Sequence, residues 1–263
     1  MCFRELSRSV RSRNDTIRIN LTARHLSELP ISTMPRLMLF PELPSDIQVK
    51  GLIFDMDGTL CLPQTWMFSE MRRVLGIAKS VDILDHIYSL EVAEQEVAHE
   101  KVRQVERTAM VQMKPQPGLE ELMEFLEKNE LLKAICTRNF DTPVNHLLTK
   151  FLPKKLFHPI VTREFKPPKP SPAGILHIAN HWKIEPKHLI MVGDSVDDML
   201  AGHRAGVITI LLESDVNVHL TEAKETDAVV QRLDDIINLL KGGIEITERM
   251  PTVSEEEVKS LDG

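Results

Sequence analysis

The sequence predicts a doubly wound α/β fold, in which a parallel sheet of about five strands carries helices on both faces. Five short apolar runs, each about the length of a strand, recur between residues 49 and 212. Segments with the apolar spacing of amphipathic helices separate these runs. Parallel strands that are buried on both faces read as near-continuous apolar runs, and helical crossovers connect them. This alternation therefore favours a Rossmann-like core.

The predicted strands and helices follow one another along the chain in a regular order. The strand runs are Val49–Asp55, Leu131–Thr137, His158–Thr162, His188–Asp194 and Val207–Leu212. Helical spacing covers Leu119–Lys128, Pro143–Phe151, Pro172–Trp182 and Val196–Ala205. Gly206 follows the last of these helices, where a helix-ending glycine is expected.

One segment, residues 62–114, is extra to this alternation and lies between the first two predicted strands. It has only helical patterns, which we place at Trp66–Leu75, Val81–Leu90 and Glu91–Met113. An insertion at this point lies above the carboxyl ends of the strands, where open α/β sheets bind ligands. We therefore expect a small all-helical cap over the site.

The remaining divisions of the chain follow from composition. We assign residues 49–61 and 115–240 to the α/β core, and residues 241–263 to an acidic tail. Residues 1–48 are expected to be a poorly ordered extension that ends in a proline-containing linker. Its first 33 residues hold six arginines and three acids, which fits an unstructured tail, a mitochondrial presequence, or translation that begins at Met34.

Composition and charge narrow the classes of partner. The chain has 263 residues, a net charge of −7 and three cysteines, which excludes a disulfide scaffold. We expect no membrane partner, because no apolar run reaches the roughly 18 residues of a membrane span. An acidic body also argues against nucleic-acid binding. We expect the protein in the cytoplasm or nucleus, or in the mitochondrion if a presequence is present. We expect its oligomeric state to be a monomer or weak dimer.

Carboxylates follow two of the predicted strands. Asp55 and Asp57 lie in the run DMDGTL after the first strand, and Asp194 follows the fourth. An Asp-Gly turn after a strand is common, so the first pair alone carries little weight. If the first and fourth strands are neighbours, the three carboxylates converge and repel one another unless a cation is bound. An oxygen-only site that keeps water favours Mg²⁺.

Two further polar residues extend this group to a phosphoryl site. The second strand ends at Thr137, and Lys169 lies in the loop after the third strand. A carboxylate, a hydroxyl, a cation and a metal ligand at neighbouring strand ends are the parts that phosphoryl transfer needs.

These residues together resemble the four motifs of the haloacid dehalogenase superfamily of hydrolases, in its phosphatase branch. The run Asp55 to Leu60 is similar to the first motif, Thr137 to the second, Lys169 to the third, and Asp194 with Asp198 to the fourth. The resemblance covers about residues 49–240 and extends to uncharacterised fungal hydrolases of the superfamily.

The resemblance implies how the chemistry is divided between the first two carboxylates. Asp55 is expected to attack phosphorus and form an aspartyl-phosphate. Asp57 is expected to protonate the leaving oxygen and then activate the water that cleaves the intermediate. Dehalogenases of the superfamily lack an acid at the second position, so Asp57 favours phosphate transfer over dehalogenation.

The resemblance also implies how the phosphate and the metal are held. Lys169, Thr137 and the backbone N–H groups of Asp57 to Thr59 and of Arg138 are expected to bind the phosphate. Mg²⁺ is expected to be bound by Asp55, the carbonyl of Asp57, and Asp194. Asp198 is expected to reach the metal through water or to orient its ligands.

The sequence therefore predicts a Mg²⁺-dependent phosphomonoesterase that acts on a small phosphorylated metabolite. A sugar phosphomutase of the same superfamily is an alternative, because it shares these motifs. A regulatory or binding protein that retains the fold without catalysis is a second alternative.

Overall fold

A computed structural model describes residues 34–246 of the chain. The strands in this part are β1 (Arg36–Met38), β2 (Ile47–Gln48), β3 (Gly51–Phe54), β4 (Leu132–Cys136), β5 (Ile160–Val161), β6 (Leu189–Gly193), β7 (Ile208–Leu212), β8 (Ala228–Val230) and β9 (Ile244–Glu245). The helices are α1 (Trp66–Leu75), α2 (Ile83–Ser89), α3 (Val92–Gln112), α4 (Leu119–Lys128), α5 (Asp141–Phe151), α6 (Ala173–Trp182), α7 (Val196–Ala205) and α8 (Asp235–Gly242). None of these helices is long and apolar enough to span a bilayer.

The main sheet has six parallel strands in the order β5-β4-β3-β6-β7-β8. Strand β3 lies between β4 and β6, so that Phe54 pairs with both Ile135 and Val192. The predicted doubly wound α/β class is confirmed, with one strand more than the five expected. The additional strand is β8, whose three residues pair with the end of β7.

Helices cover the sheet on both faces because successive side chains of a strand point to opposite sides. In β3, Leu52 and Phe54 pack into one apolar cluster and Ile53 packs into another, and all three are fully buried. The first cluster includes residues of α4, α5 and α8, and the second includes residues of α6 and α7. This two-sided burial explains why the strands read as continuous apolar runs.

Helices α1, α2 and α3 form a cap with an apolar cluster of its own. Met71, Ile87, Ala98 and Val105 are buried members of this cluster. Ala98, Val105 and Ala109 are the buried residues of α3 and follow the spacing that predicted this helix.

Two antiparallel linkers join the cap to the core. The Leu62 N–H donates to the Lys114 carbonyl at 2.9 Å, and the Gln116 N–H donates to the Leu60 carbonyl at 3.1 Å. The Gln116 side chain also donates to the Gly58 carbonyl at 2.6 Å. The cap is therefore attached directly to the loop that follows β3.

The structure differs from the predicted linker and tail at residues 35–48 and 241–246. Strand β1 pairs with β2 and β9 in a second, three-stranded sheet. Leu37 is fully buried in the larger core cluster, and the Leu39 N–H donates to the Leu240 carbonyl of α8 at 2.7 Å. The prediction missed these strands because they are short and because the three prolines of residues 35–48 indicate a linker. The expectations for residues 1–33 and 247–263 lie outside the described part of the chain.

Because Leu37 packs in the main core, Leu37→Ala is expected to lower the free energy of unfolding by about 2–5 kcal/mol. The measurement is urea denaturation followed by circular dichroism. Phe40→Ser is the matched control, since Phe40 is 66% exposed and its replacement should change this energy by less than about 0.5 kcal/mol. Equal unfolding midpoints for Leu37→Ala and the wild type would show that β1 does not contribute to the core.

Asp46, in the loop between β1 and β2, should make the stability of the fold depend on pH. Asp46 accepts hydrogen bonds from Arg36 Nη2 at 3.1 Å and the Leu43 N–H at 2.9 Å, and the Arg36 contact is the main cause that lowers the pKa of Asp46 to about 2. Its ionised form therefore stabilises the fold above about pH 4, and this contribution is lost as the pH falls through about 2. We expect the Tm difference between the wild type and Asp46→Asn to shrink between pH 5 and pH 2. A constant difference would contradict this assignment.

Candidate active site

Several predicted site residues meet at the carboxyl edge of the main sheet. Asp55 directly follows β3, Thr137 follows β4 and Asp194 follows β6. The predicted meeting of these carboxylates is conditional on the first and fourth predicted strands being neighbours, and β3 does pair with β6. Parallel strands end at the same edge of a sheet, so this pairing brings Asp55 and Asp194 together.

Lys169 is a buried cation between two carboxylates. Its Nζ lies 2.8 Å from Asp55 Oδ1 and 2.5 Å from Asp198 Oδ1. Burial alone lowers the pKa of Lys169, but the charges of Asp198 and Asp55 outweigh it and raise this pKa overall. Burial raises the pKa of Asp55 to about 7, and the charge of Lys169 opposes that rise. Lys169 therefore favours the ionised form of Asp55.

Asp198 is fully buried, and both of its carboxylate oxygens have partners. While Oδ1 contacts Lys169, Oδ2 accepts hydrogen bonds from Ser195 Oγ at 2.6 Å and from the Ser195 N–H at 3.1 Å. Ser195 Oγ in turn accepts from the Asp198 N–H, which completes a capping box at the start of α7. These contacts orient Lys169 and the loop after β6.

Three carboxylates at this edge can hold a metal ion. One oxygen each from Asp55, Asp194 and Asp198 lies within 4.8 Å of the other two. Burial, followed by the charge of Asp198, raises the pKa of Asp194 to about 6. Three carboxylates with one lysine leave excess negative charge, and oxygen ligands suit a hard divalent cation. The donor set therefore fits the predicted metal.

The side chain of Asp57 has hydrogen-bond partners of its own, outside the group of Asp55, Asp194 and Asp198. Its Oδ2 accepts a hydrogen bond from Asn139 Nδ2 at 2.7 Å, and Cys61 Sγ lies 3.8 Å from its Oδ1. Burial raises the pKa of Asp57, while the Asn139 contact opposes that rise. The site therefore has a separate carboxylate, two residues after Asp55, that can exchange a proton.

Thr59, which the sequence predicts at the phosphate, has protein partners for both of its donors. Its hydroxyl donates to Asp194 Oδ1 at 3.3 Å, and its N–H donates to the Met56 carbonyl at 3.3 Å. The Gly58 N–H likewise donates to the Cys61 carbonyl at 2.9 Å. The tight turn uses these two N–H donors internally, while the Thr59 hydroxyl contacts the Asp194 carboxylate.

Gly58 is required where this turn approaches Asp194. Its φ is +84°, a conformation that side chains disfavour, and a Cβ at this position would lie 2.1 Å from Asp194 Oδ2. The glycine of the DGT run therefore allows the backbone to reach the carboxylate.

The two predicted phosphate residues after β4 have different surroundings. Thr137 is 5% exposed, and its Oγ1 accepts the Asn139 N–H at 3.1 Å, which leaves the hydroxyl hydrogen available to a ligand. The Arg138 guanidinium is mostly exposed and forms an ion pair with Asp197 at the start of α7. The guanidinium of Arg138 therefore already has a charged partner in the protein.

Sequence reasoning missed two amide side chains that support the site. Asn139 contacts Asp57, as described above. Asn217 is buried and donates to the carbonyls of Asp194 at 2.7 Å and Leu212 at 2.9 Å, while its Oδ1 accepts the Ser214 N–H. The signal available in the sequence is position, since both asparagines lie in loops that follow core strands.

A cavity of about 470 Å³ lies beside the two cap linkers. Leu62, Pro63, Gln64, Trp66, Gln112 and Lys114 line it. Leu62 directly follows Cys61, whose thiol contacts Asp57, so this cavity begins close to the predicted proton donor.

The two cysteines beside the site are buried. Burial raises the pKa of the Cys136 thiol to about 12 and also raises that of Cys61. Both thiols are therefore in their unreactive, protonated form near neutral pH.

Comparisons with known proteins agree with this geometry. The family model of haloacid dehalogenase-like hydrolases matches residues 69–212. An uncharacterized hydrolase of Saccharomyces cerevisiae is 49% identical over 199 residues, which is 73% of this chain and 91% of the yeast protein. A phosphoglycolate phosphatase of Haemophilus influenzae is 29% identical over 105 residues, or 40% of this chain and 47% of that enzyme.

A solved structure shares the fold. The crystal structure of a predicted phosphoglycolate phosphatase from Haemophilus somnus aligns with a TM-score of 0.62 and 19% sequence identity. The alignment covers 73% of this chain and 98% of that one. With a family model that spans more than half of the chain and a relative at 49% identity, this protein belongs to the haloacid dehalogenase-like hydrolases.

Proposed function

We propose that this hydrolase is a Mg²⁺-dependent phosphomonoesterase that acts on a small phosphorylated metabolite through an aspartyl-phosphate at Asp55. The observation that carries the proposal is the buried contact between Lys169 Nζ and Asp55 Oδ1, at 2.8 Å, beside the carboxylates of Asp194 and Asp198. The relationship to a phosphoglycolate phosphatase supports this reaction class.

Asp55 is the nucleophile of the first step. One of its carboxylate oxygens attacks phosphorus, and the bond between phosphorus and the leaving oxygen breaks. Lys169 favours the ionised form of the attacking carboxylate and offsets the charge of the phosphoryl group. Thr137 can donate its hydroxyl hydrogen to a phosphoryl oxygen.

Asp57 moves the protons of both steps. It gives its proton to the leaving oxygen as the ester bond breaks, and the alcohol departs. A water molecule then attacks the phosphorus of the aspartyl-phosphate, and Asp57 takes the proton of that water. Inorganic phosphate leaves, and Asp55 is restored.

Asp55, the carbonyl of Asp57, and Asp194 would hold Mg²⁺, while Asp198 orients Lys169. When bound, the ion supplies positive charge that neutralises the phosphate and the facing carboxylates. Asn217 and Thr59 support this arrangement through their contacts with the carbonyl and the carboxylate of Asp194, respectively.

The cavity at the cap linkers supports a small substrate. Its volume of about 470 Å³ is that of a site for a single small molecule. Lys114 offers a cation and Gln64 an amide, and the Oε1 atom of Gln64 is buried without a hydrogen-bond partner in the described part of the chain. These groups suit a polar leaving group that carries hydroxyl or acidic substituents.

Hydrolysis of 4-nitrophenyl phosphate by the purified protein tests the proposal. Activity should require Mg²⁺ and disappear with EDTA, and Asp55→Asn should lower kcat by about 10³-fold or more because the nucleophile is lost. Asp215→Asn, an exposed aspartate replaced in the same way, is the matched control and should retain activity.

Two results would contradict this proposal. A folded protein that binds Mg²⁺ but hydrolyses neither this ester nor a panel of phosphorylated metabolites would favour a binding role. Transfer of the phosphoryl group to a sugar phosphate, faster than its release as inorganic phosphate, would identify a phosphomutase.

Asp57→Asn should separate the two chemical steps. The nitrophenolate leaves without needing a proton, so one equivalent per enzyme should be released in a burst. Hydrolysis of the intermediate lacks its base and should slow by about 10²-fold or more. Rapid-quench kinetics and the mass of the phosphorylated protein measure both quantities. A variant that turns over steadily without a burst would assign the base to another residue.

A further inference from the structure

The carboxylate of Asp57 has a different neighbour at each oxygen. Asn139 Nδ2 donates to Oδ2 at 2.7 Å, a short hydrogen bond from an amide. Cys61 Sγ lies 3.8 Å from Oδ1 and is a weak donor. The two oxygens of this proton-transfer residue are therefore not equivalent.

The orientation of the Asn139 amide is set by a second contact. Its Oδ1 accepts the Phe140 N–H at 2.7 Å, so the amide nitrogen must face Asp57. The backbone of Asn139 is fixed as well, because its N–H donates to Thr137 Oγ1 at 3.1 Å and its carbonyl accepts the Arg163 N–H at 3.0 Å. Asn139 thus presents its donor to Asp57 from a loop held at three points.

We propose that Asn139 is a positioning residue for Asp57, which holds Oδ2 in place and leaves Oδ1 as the oxygen that exchanges a proton with the substrate. This inference rests on the proposed phosphatase function. An amide nitrogen donates and does not accept. A carboxylic acid accepts hydrogen bonds mainly at its unprotonated oxygen, so the Asn139 contact directs the proton of Asp57 to Oδ1.

The neighbour of Oδ1 allows this exchange. The Cys61 thiol has a second acceptor, the Met56 carbonyl, with Sγ and the oxygen 3.6 Å apart. When Oδ1 carries a proton, the thiol hydrogen can turn to this carbonyl, and when Oδ1 is ionised, it can return. The thiol therefore stays paired in both states without blocking proton transfer.

The proton balance follows from these contacts. In the first step, Oδ1 gives its proton to the leaving oxygen as the ester bond breaks. In the second step, the water oxygen bonds to phosphorus, the bond between phosphorus and the Asp55 oxygen breaks, and Oδ1 takes a proton from that water. Oδ2 keeps its hydrogen bond to Asn139 throughout, so the carboxylate does not have to reorient between steps.

Two variants separate this role from a structural role in the loop. Asn139→Ala removes both the donor to Asp57 and the acceptor of the Phe140 N–H. Asn139→Asp keeps an acceptor for the Phe140 N–H and, in its ionised form, replaces the donor to Asp57 with a second negative charge. Loss caused only by a disturbed loop should therefore be smaller in Asn139→Asp.

The experiment measures single-turnover cleavage of phosphate monoesters whose leaving alcohols range from 4-nitrophenol to an alkyl alcohol. Poor leaving groups depend on the proton from Asp57, and good ones do not. We expect both variants to cleave the nitrophenyl ester within about threefold of the wild-type rate and the alkyl ester at least about tenfold more slowly. A purely structural role would lower both rates alike.

Several outcomes would overturn the inference. The positioning role would be rejected if a variant lost the same factor in cleavage rate for every ester of the series. It would also be rejected if the cleavage rate of Asn139→Asp depended on the leaving alcohol as the wild-type rate does. The proposed function would stand in both cases. Absence of any Asp55-dependent hydrolysis in the wild type would reject both. If circular dichroism shows that Asn139→Ala does not fold, the dependence of the Asn139→Asp cleavage rate on the leaving alcohol tests the positioning role by itself.

Discussion

The buried contact of Lys169 with two carboxylates is the interaction on which the rest of the site depends. Asp55 and Asp198 are 114 and 29 residues away from Lys169 in the sequence, so the contact ties β3, the loop after β5 and the start of α7 together. A buried charge without a partner costs several kcal/mol. Each of these groups is therefore stable in the interior only while the other two are in place.

Around this contact the site divides into two sides with different chemistry. On one side, Asp194 adds a third carboxylate, and Thr59 and Asn217 hold it through its side chain and its carbonyl. On the other side, the Asp57 carboxylate accepts a hydrogen bond from Asn139. Asp55 and Asp57 are only two residues apart, yet their carboxylates contact different partners, Lys169 and Asn139 respectively.

The cap and the small second sheet connect to this core in different ways. The cap linkers are bonded to the loop that carries Asp57, through Gln116 and the Gly58 carbonyl, so a movement of the cap would be transmitted to this loop. The second sheet joins β1 to β9 and to α8, away from the carboxyl edge. Its contribution is to stability, since Leu37 completes the core cluster beneath α8.

The sequence by itself determined the α/β class and the carboxylates at the strand ends. Short apolar runs that alternate with helical patterns, and acids directly after those runs, can be read from the order of residues along the chain. Only the tertiary structure decided the pairing of β1, β2, β8 and β9, since strands of two or three residues show no period and are stabilised by their neighbours. It also decided the contacts of Thr59 and Asn139. No sequence pattern predicts which group a hydroxyl or an amide will contact. The partner of Thr59, Asp194, is 135 residues away in the sequence, and the partner of Asn139, Asp57, is 82 residues away.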